Sequence, residues 1–272
     1  MTPISDVFKT AARESRMTFM PFVTAGDPDL ATTAAVLCSL RDAQVDLIEL
    51  GFPYSDPIAD GPVIQASYTR ALNSGITVDG IFKMMESLKG ESLPPVLAMV
   101  SFAIIFRHGT ALFVEHAAKA GFRGLIIPDL PADEADEVVA AAKQFQLDVV
   151  QLIAPTTTAE RTKQILAAST GFLYCISVAG TTGVRQELPR ELTDQLKSLR
   201  AQSALPLAVG FGISSPEQVS ALEGVADGII VGSAIVRRMA EAESSIAAAK
   251  NVGTFAREMR SATAKTKPSR QP

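Results

Sequence analysis

From Thr18 to about Ile246 the chain alternates two kinds of apolar pattern. Short runs of β-branched and large apolar residues predict strands at Thr18 to Thr24, Asp46 to Leu50, Pro95 to Ser101, Gly124 to Pro128, Asp148 to Ile153, Phe172 to Ser177, Leu207 to Gly210 and Gly228 to Gly232. Longer amphipathic or alanine-rich runs predict helices at Leu30 to Asp42, Val63 to Asn73, Thr110 to Ala120, Ala132 to Phe145, Ala159 to Ala167, Glu191 to Gln202, Pro216 to Leu222 and Ser233 to Ala242. A strand followed by a helix, repeated in this way, builds a parallel sheet covered by helices.

Eight such units in about 250 residues are the inventory of a (β/α)8 TIM barrel, although an open doubly wound sheet would give a similar alternation. Two features favour closure. No predicted strand reads as a polar edge, and the first is not followed by the GxGxxG turn of a dinucleotide fold. Extra helices are expected at both ends, over Ile4 to Ser15 and Val252 to Met259. With no internal linker, residues 1–264 are expected to form one barrel domain, and the polar, basic tail over 265–272 is expected to be disordered.

Composition narrows the classes of partner. The 272-residue chain is 47% hydrophobic, enough for a large core. A formal net charge of -4 leaves no basic excess to neutralise phosphates, which excludes a nucleic acid or an anionic membrane as principal partner but not a small anion. Cys38 and Cys175 lie far apart without CxxC or Cys/His spacing, which argues against a disulfide framework or a zinc site and for a reducing cytoplasm. No run approaches the roughly 18–20 apolar residues of a membrane span, and Met1 to Thr10 has no apolar signal core.

If the sheet closes, function belongs at the carboxyl ends of its strands. Glu49 stands there, among Val45, Leu47, Ile48 and Leu50. Side chains alternate along a strand, so Val45, Leu47 and Glu49 share a face, and an apolar setting would lift the carboxyl pKa toward the range useful for giving and taking a proton. A Glu that caps the following loop is the competing reading. Asp60 follows Pro57 and precedes Gly61-Pro62, a stiffened loop that suits a positioned carboxylate and equally a turn leading into a helix. Asp56 could serve ligand, loop or partner.

A second constellation follows the last strands: Gly180-Thr181-Thr182-Gly183, Gly210-Phe211-Gly212-Ile213-Ser214 and Gly232-Ser233-Ala234. Each alone is an ordinary turn. Together they match the way barrels hold phosphate, with loops after the seventh and eighth strands and the positive end of a helix. The connection from Val178 to Pro189 is long for a strand-to-helix loop, so it reads as a lid with Thr182 facing a carboxylate such as Asp60, or as a solvated surface loop.

These residues carry a resemblance. Phe22-Val23-Thr24-Ala25-Gly26-Asp27-Pro28, Glu49-Leu50-Gly51, Ser55-Asp56-Pro57, Ala59-Asp60-Gly61-Pro62, Pro128-Asp129-Leu130-Pro131, Thr182-Gly183, Gly210-Phe211-Gly212 and Gly232-Ser233-Ala234 occur in the order found in the tryptophan synthase α-chain family, which the sequence closely resembles over nearly its whole length. The resemblance implies a TIM barrel that cleaves indole-3-glycerol phosphate to indole and glyceraldehyde 3-phosphate. It implies no metal and no cofactor, and a pyridoxal-phosphate β chain as partner in an α2β2 complex. By the same resemblance Glu49 is the general acid/base and Asp60 pairs with the indole N–H. Gly183, Gly212, Gly232 and Ser233 form the phosphate cradle, Thr182 belongs to the lid, and Phe22, Ile153, Tyr174 and Phe211 line the indole pocket or its surroundings. Pro53 and Asp56 lie in the segment that communicates with the β chain.

Two departures stand out. Where many members carry a Tyr-Asn-Pro-like stretch this chain has Val100-Ser101-Phe102-Ala103-Ile104-Ile105, and Thr181 replaces a branched apolar residue in the lid. His108 and His116 match no nucleophile or metal constellation, Asp129 reads as a loop stabiliser, and the acidic run from Asp133 to Glu137 suits a helix start. Two other functions remain open at this level: another sugar-phosphate lyase or isomerase, and a non-catalytic subunit that senses phosphate ligands.

Overall fold

The computed structural model describes residues 3–57, 60–176, 190–210 and 212–264. Its strands are β1 (Thr18–Thr24), β2 (Ile48–Gly51), β3 (Val96–Met99), β4 (Gly124–Ile126), β5 (Asp148–Val150), β6 (Leu152–Ile153), β7 (Leu173–Ile176), β8 (Leu207–Gly210) and β9 (Gly228–Val231). All pair in parallel, in the order β5-β4-β3-β2-β1-β9-β8-β7-β6. The terminal segments β5 and β6 are the two halves of the run predicted as one strand from Asp148 to Ile153. The first half bonds to β4 and the second to β7. Between them the Gln151 carbonyl accepts a bond from Tyr174 N at 3.1 Å, so the ring closes as an eight-stranded barrel. The break follows from stagger: a tilted strand meets its two neighbours at different heights.

Alternation along the strands sorts the apolar residues into two shells. Met20, Leu47, Leu97, Ile126, Val150, Ala208 and Ile230 fill the barrel, and helix α1 (Ile4–Arg13) closes its N-terminal end with Ile4, Val7 and Phe8. Phe8 meets Phe172 with ring centroids 5.4 Å apart. Phe19, Val23, Ile48 and Leu50 point the other way, into the core between sheet and helices. There Phe52 packs on Phe82, Phe113 and Phe122 at 5.7–5.8 Å.

Several elements differ from expectation. The predicted helix from Ala132 to Phe145 is a 3-10 turn, Ala132–Glu134, followed by α7 (Asp136–Gln144). Helices α4 (Val78–Ser87) and α5 (Phe102–His108) were not expected. In α4 the Thr77 side chain caps Gly80 N at 3.1 Å, and Ile81, Phe82, Met84 and Met85 are buried. The C-terminal helix, α12 (Ser245–Ala262), is longer than expected and starts well before Val252, where Ser244 Oγ accepts from Ala247 N at 3.2 Å; Gly253 lies inside it. A Cβ there would overlap Ser39 Oγ, so the glycine lets α12 lie directly on α2 (Leu30–Asp42), where Ser39 Oγ donates to the Ala249 carbonyl at 2.6 Å. The tail over 265–272 lies outside the described residues, and no described helix is long and apolar enough to cross a membrane.

Asp46 fastens the base of the barrel. Its carboxylate accepts from Arg16 Nη1 at 2.7 Å and from Phe19 N at 2.8 Å, and the two side chains are 9% and 8% exposed. Asp46→Asn keeps the shape but leaves Arg16 with only the exposed Glu14 as ionic partner. We expect a loss of about 2 kcal/mol, less than the about 3–5 kcal/mol typical of a fully enclosed pair, in urea unfolding. In the double variant with Arg16→Met the two losses should fall short of their sum; strict additivity would show that the pair is not coupled.

Candidate active site

β2 carries Glu49 on its inner face, in register with Phe22 of β1 and Leu97 of β3. The residue is completely buried, and neither carboxylate oxygen has a hydrogen-bond partner among the described residues. Burial alone lifts its pKa to about 8, so the free site holds a neutral carboxylic acid near pH 7. Such a group can give a proton without reorganising a salt bridge. Its aromatic surroundings are fitted to the strand ends. A Cβ on Gly51 would overlap the Phe22 ring and approach the Tyr68 hydroxyl, and one on Gly210 would overlap the Tyr174 ring. Glycine at these two positions therefore admits the rings that enclose the acid. Burial, and next the Glu49 and Asp60 charges, hold the Tyr174 hydroxyl above its ordinary pKa.

Asp60 sits just before α3 (Pro62–Asn73), which starts with proline at its first turn. The loop is stapled through its backbone: Asp60 N donates to the Pro57 carbonyl at 3.1 Å, while Gln65 Nε2 donates to the carbonyls of Asp60 at 2.8 Å and Pro57 at 3.2 Å. These bonds satisfy the turn and leave the carboxylate free among the described residues. Partial burial raises its pKa to about 6. The two carboxyls thus differ by environment, one neutral and one mostly ionised at pH 7.

Both line one cavity of ≈ 300 Å³. Its other polar boundary comes from Gly212, Ser214, Gly232 and Ser233, after β8 and β9, which adjoin β1 and β2 around the ring. Gly212 has φ +82°, a left-handed conformation natural to glycine. Gln218 Oε1 accepts from Ser214 N at 2.7 Å and Ser215 N at 3.2 Å, holding that loop to α10 (Pro216–Ser220). Gly232 caps α11 (Ser233–Ala240), whose first turn carries no acid, so its free N–H groups favour an anion.

The structure brings Glu49, Asp60, Phe22, Tyr174, Gly212, Gly232 and Ser233 together. Ile153 is not with them. The two-residue period turns Leu152 inward and packs Ile153 in the outer core, with Cys175 as its partner in register. Thr182, Gly183 and Phe211 lie outside the described residues. Met99, Ile64 and Ile230 complete the wall and were not anticipated; Met99 was legible as the position two beyond Leu97, on the same face at the end of β3.

Pro53 and Asp56 belong to a separate groove of ≈ 690 Å³, shared with Ile104 and Arg107. Asp56 is exposed and accepts from Ser55 Oγ at 2.7 Å. In the same groove Asp129 accepts from Ser101 Oγ at 2.6 Å and Phe102 N at 2.8 Å, which secures the start of α5. His108 Nε2 and His116 Nδ1 face each other at 3.1 Å, and the described residues contain no group of three or more metal-ligating side chains.

A barrel with a buried acid, a second carboxyl and an anion cradle restricts the chemistry but not the substrate. Comparison with known proteins supplies the family. The profile of the family described as tryptophan synthase alpha chain matches residues 8–264. A tryptophan synthase alpha chain of Rhodopirellula baltica is 46% identical, covering 96% of this chain and 99% of that one. One of Prochlorococcus marinus is also 46% identical, covering 95% and 94%. Among solved structures, tryptophan synthase subunit alpha of Legionella pneumophila superposes with a TM-score of 0.88 at 35% identity, covering 97% and 98%. Mycobacterium tuberculosis tryptophan synthase gives 0.88 at 31%, with the same coverage. Likeness in sequence and in fold, each over nearly the full length, leads to one conclusion: the chain belongs to the tryptophan synthase alpha chain family.

Proposed function

We propose that Glu49 and Asp60 divide the chemistry of the family's reaction, the cleavage of indole-3-glycerol phosphate to indole and glyceraldehyde 3-phosphate. The observation that carries the reading is the fully buried, unpartnered carboxyl of Glu49 beside an anion cradle. Gly212, Gly232 and Ser233 hold the phosphate; the family resemblance adds Gly183 to this cradle and assigns Thr182 to the lid. The ring lies against Phe22, Tyr174 and Met99.

Glu49, neutral before reaction, donates its proton to C3 of the indole. The positive charge spreads to the ring nitrogen, where the Asp60 carboxylate accepts the N–H and stabilises it. Glu49, now an anion, takes the proton of the adjacent glycerol hydroxyl. The electrons of that O–H bond form the aldehyde carbonyl, the carbon–carbon bond breaks toward the ring, and indole is restored. One proton is given and one recovered, so the acid returns to its starting state. The working unit is a single barrel over residues 1–264, acting in the cytoplasm. Indole passes to the β chain across the face that carries Pro53 and Asp56.

Glu49→Gln is expected to lower kcat for indole release by about 10³-fold or more while substrate affinity stays within about threefold, because it removes both proton transfers and little volume. Asp60→Asn should lower kcat by about 10²-fold through loss of charge stabilisation. Substantial turnover by the Glu49 variant, measured with and without added β chain, would refute the assignment.

The two pKa values set the pH profile. Reaction needs Asp60 ionised, which fails as pH falls through about 6, and Glu49 protonated, which fails as pH rises through about 8. A bell-shaped kcat/KM with those limbs is expected. In Asp60→Asn the acid limb should disappear; a wild-type profile that stays flat well below about 6 and well above about 8 would contradict both roles.

A further inference from the structure

The N-terminal mouth of the barrel, opposite the active site, holds a groove of ≈ 790 Å³. Apolar side chains of Ile4, Phe145 and Leu147 line it together with two cations, Arg123 and Lys143. Arg123 immediately precedes β4, and burial lowers its pKa without any opposing anion. Its single hydrogen bond is long, 3.4 Å from Nη1 to the carbonyl of Phe122. Arg16, Arg41, Arg70 and Arg200 each have a carboxylate partner, whereas among the described residues no carboxylate pairs with Arg123, nor with Arg260 or Arg238, which stacks on Phe255.

Asp148 lines the same groove but does not fill this role. Its carboxyl lies toward Gly171, where an added Cβ would come 3.2 Å from the carboxyl carbon. Burial raises its pKa, with a Thr170 hydrogen bond opposing, so its repulsion of an incoming anion is reduced. A half-buried guanidinium without a counter-charge is costly, and its planar fork of donors fits a carboxylate with two parallel bonds. The wall beside it is mainly apolar, from Ile4, Val139, Phe145 and Leu147, with Gln146 and Thr170 as its uncharged polar members. It suits the hydrocarbon part of the same molecule.

We propose that this groove binds a small organic carboxylate with an apolar body, the carboxylate on Arg123 and the body against Ile4, Phe145 and Leu147. Lys143 adds attraction at longer range. Because Asp148 N donates to the Arg123 carbonyl at 3.0 Å and Ile4 begins α1, the ligand would join the plug helix to the β4–β5 edge of the barrel. Its effect is therefore on stability more than on turnover.

Titration calorimetry on the full chain tests this with phenylacetate, its neutral analogue phenylacetamide, and inorganic phosphate. Phenylacetate is expected to bind at least about tenfold better than either of the others, and Arg123→Met to weaken it by about tenfold, as loss of a bidentate charged pair implies. Arg123→Lys, which keeps charge without the fork, should fall between. Without ligand, Arg123→Met should melt at or above the wild-type temperature, since it removes an unpaired desolvated cation. Equal binding of acid and amide, equal binding of phosphate, undiminished binding by Arg123→Met, or a lysine variant no better than the methionine one would each overturn the proposal. So would a Tm several degrees lower in Arg123→Met, which would make Arg123 a structural residue.

Discussion

Glu49 is a carboxyl group with no hydrogen-bond partner among the described residues, inside a barrel whose other inward residues are mostly apolar. Water is excluded, so the charged form is disfavoured and the group waits as an acid. This demands support from elsewhere. Leu47 and Leu97 pack the layer below, Phe22 and Tyr174 form the walls, and Gly51 and Gly210 give those rings room. α1 seals the opposite mouth with Ile4, Val7 and Phe8. A barrel open at its base would let water reach the acid, and the pKa that makes it useful would relax toward the ordinary carboxylate range.

Much of this was legible in the residues. Strand-helix alternation announced the barrel because each of its units is a local pattern, and β1, β8, α2 and α6 (Thr110–Ala120) end where the pattern ends. Period-two alternation placed Leu47 and Glu49 on one face, but Val45, expected with them, lies before β2 begins and packs in the outer core. The alternation could equally have excluded Ile153, since one inward neighbour at Leu152 fixes the direction of the next residue. What the residues did not reveal depends on contacts distant in sequence. The close approach of Ser39 to Gly253 joins helices far apart in the chain, and α5 is held at its start by Asp129, 27 residues on from Phe102. The cradle was readable only in part: Gly232 and Ser233 open a helix recognisable from pattern, while the part played by Gln218 in fixing Ser214 and Ser215 needs coordinates.

The two ends of the barrel express the same physics with opposite sign. At the carboxyl ends of the strands a buried acid is left without a base, and beyond the amino ends a half-buried cation is left without an anion. Asp46 shows what a structural ion pair looks like here: two short bonds, little exposure, and a strand N–H tied to the same oxygen. An unpaired group in such surroundings costs stability that a purely structural role does not return.

On the roles proposed for Glu49 and Asp60, the difference between the two carboxyls also explains why two are needed. A single carboxyl cannot be protonated enough to give its proton to C3 and ionised enough to steady the charge that results. Burial separates the tasks, complete for Glu49 and partial for Asp60. When the ring enters, it displaces water from Asp60 as well, which would push that pKa higher and weaken the site if nothing replaced the lost solvation. The ring N–H replaces part of it in the ground state. Full compensation comes only as positive charge develops on the nitrogen, so the interaction is strongest at the transition state, where it accelerates the reaction rather than merely holding the substrate.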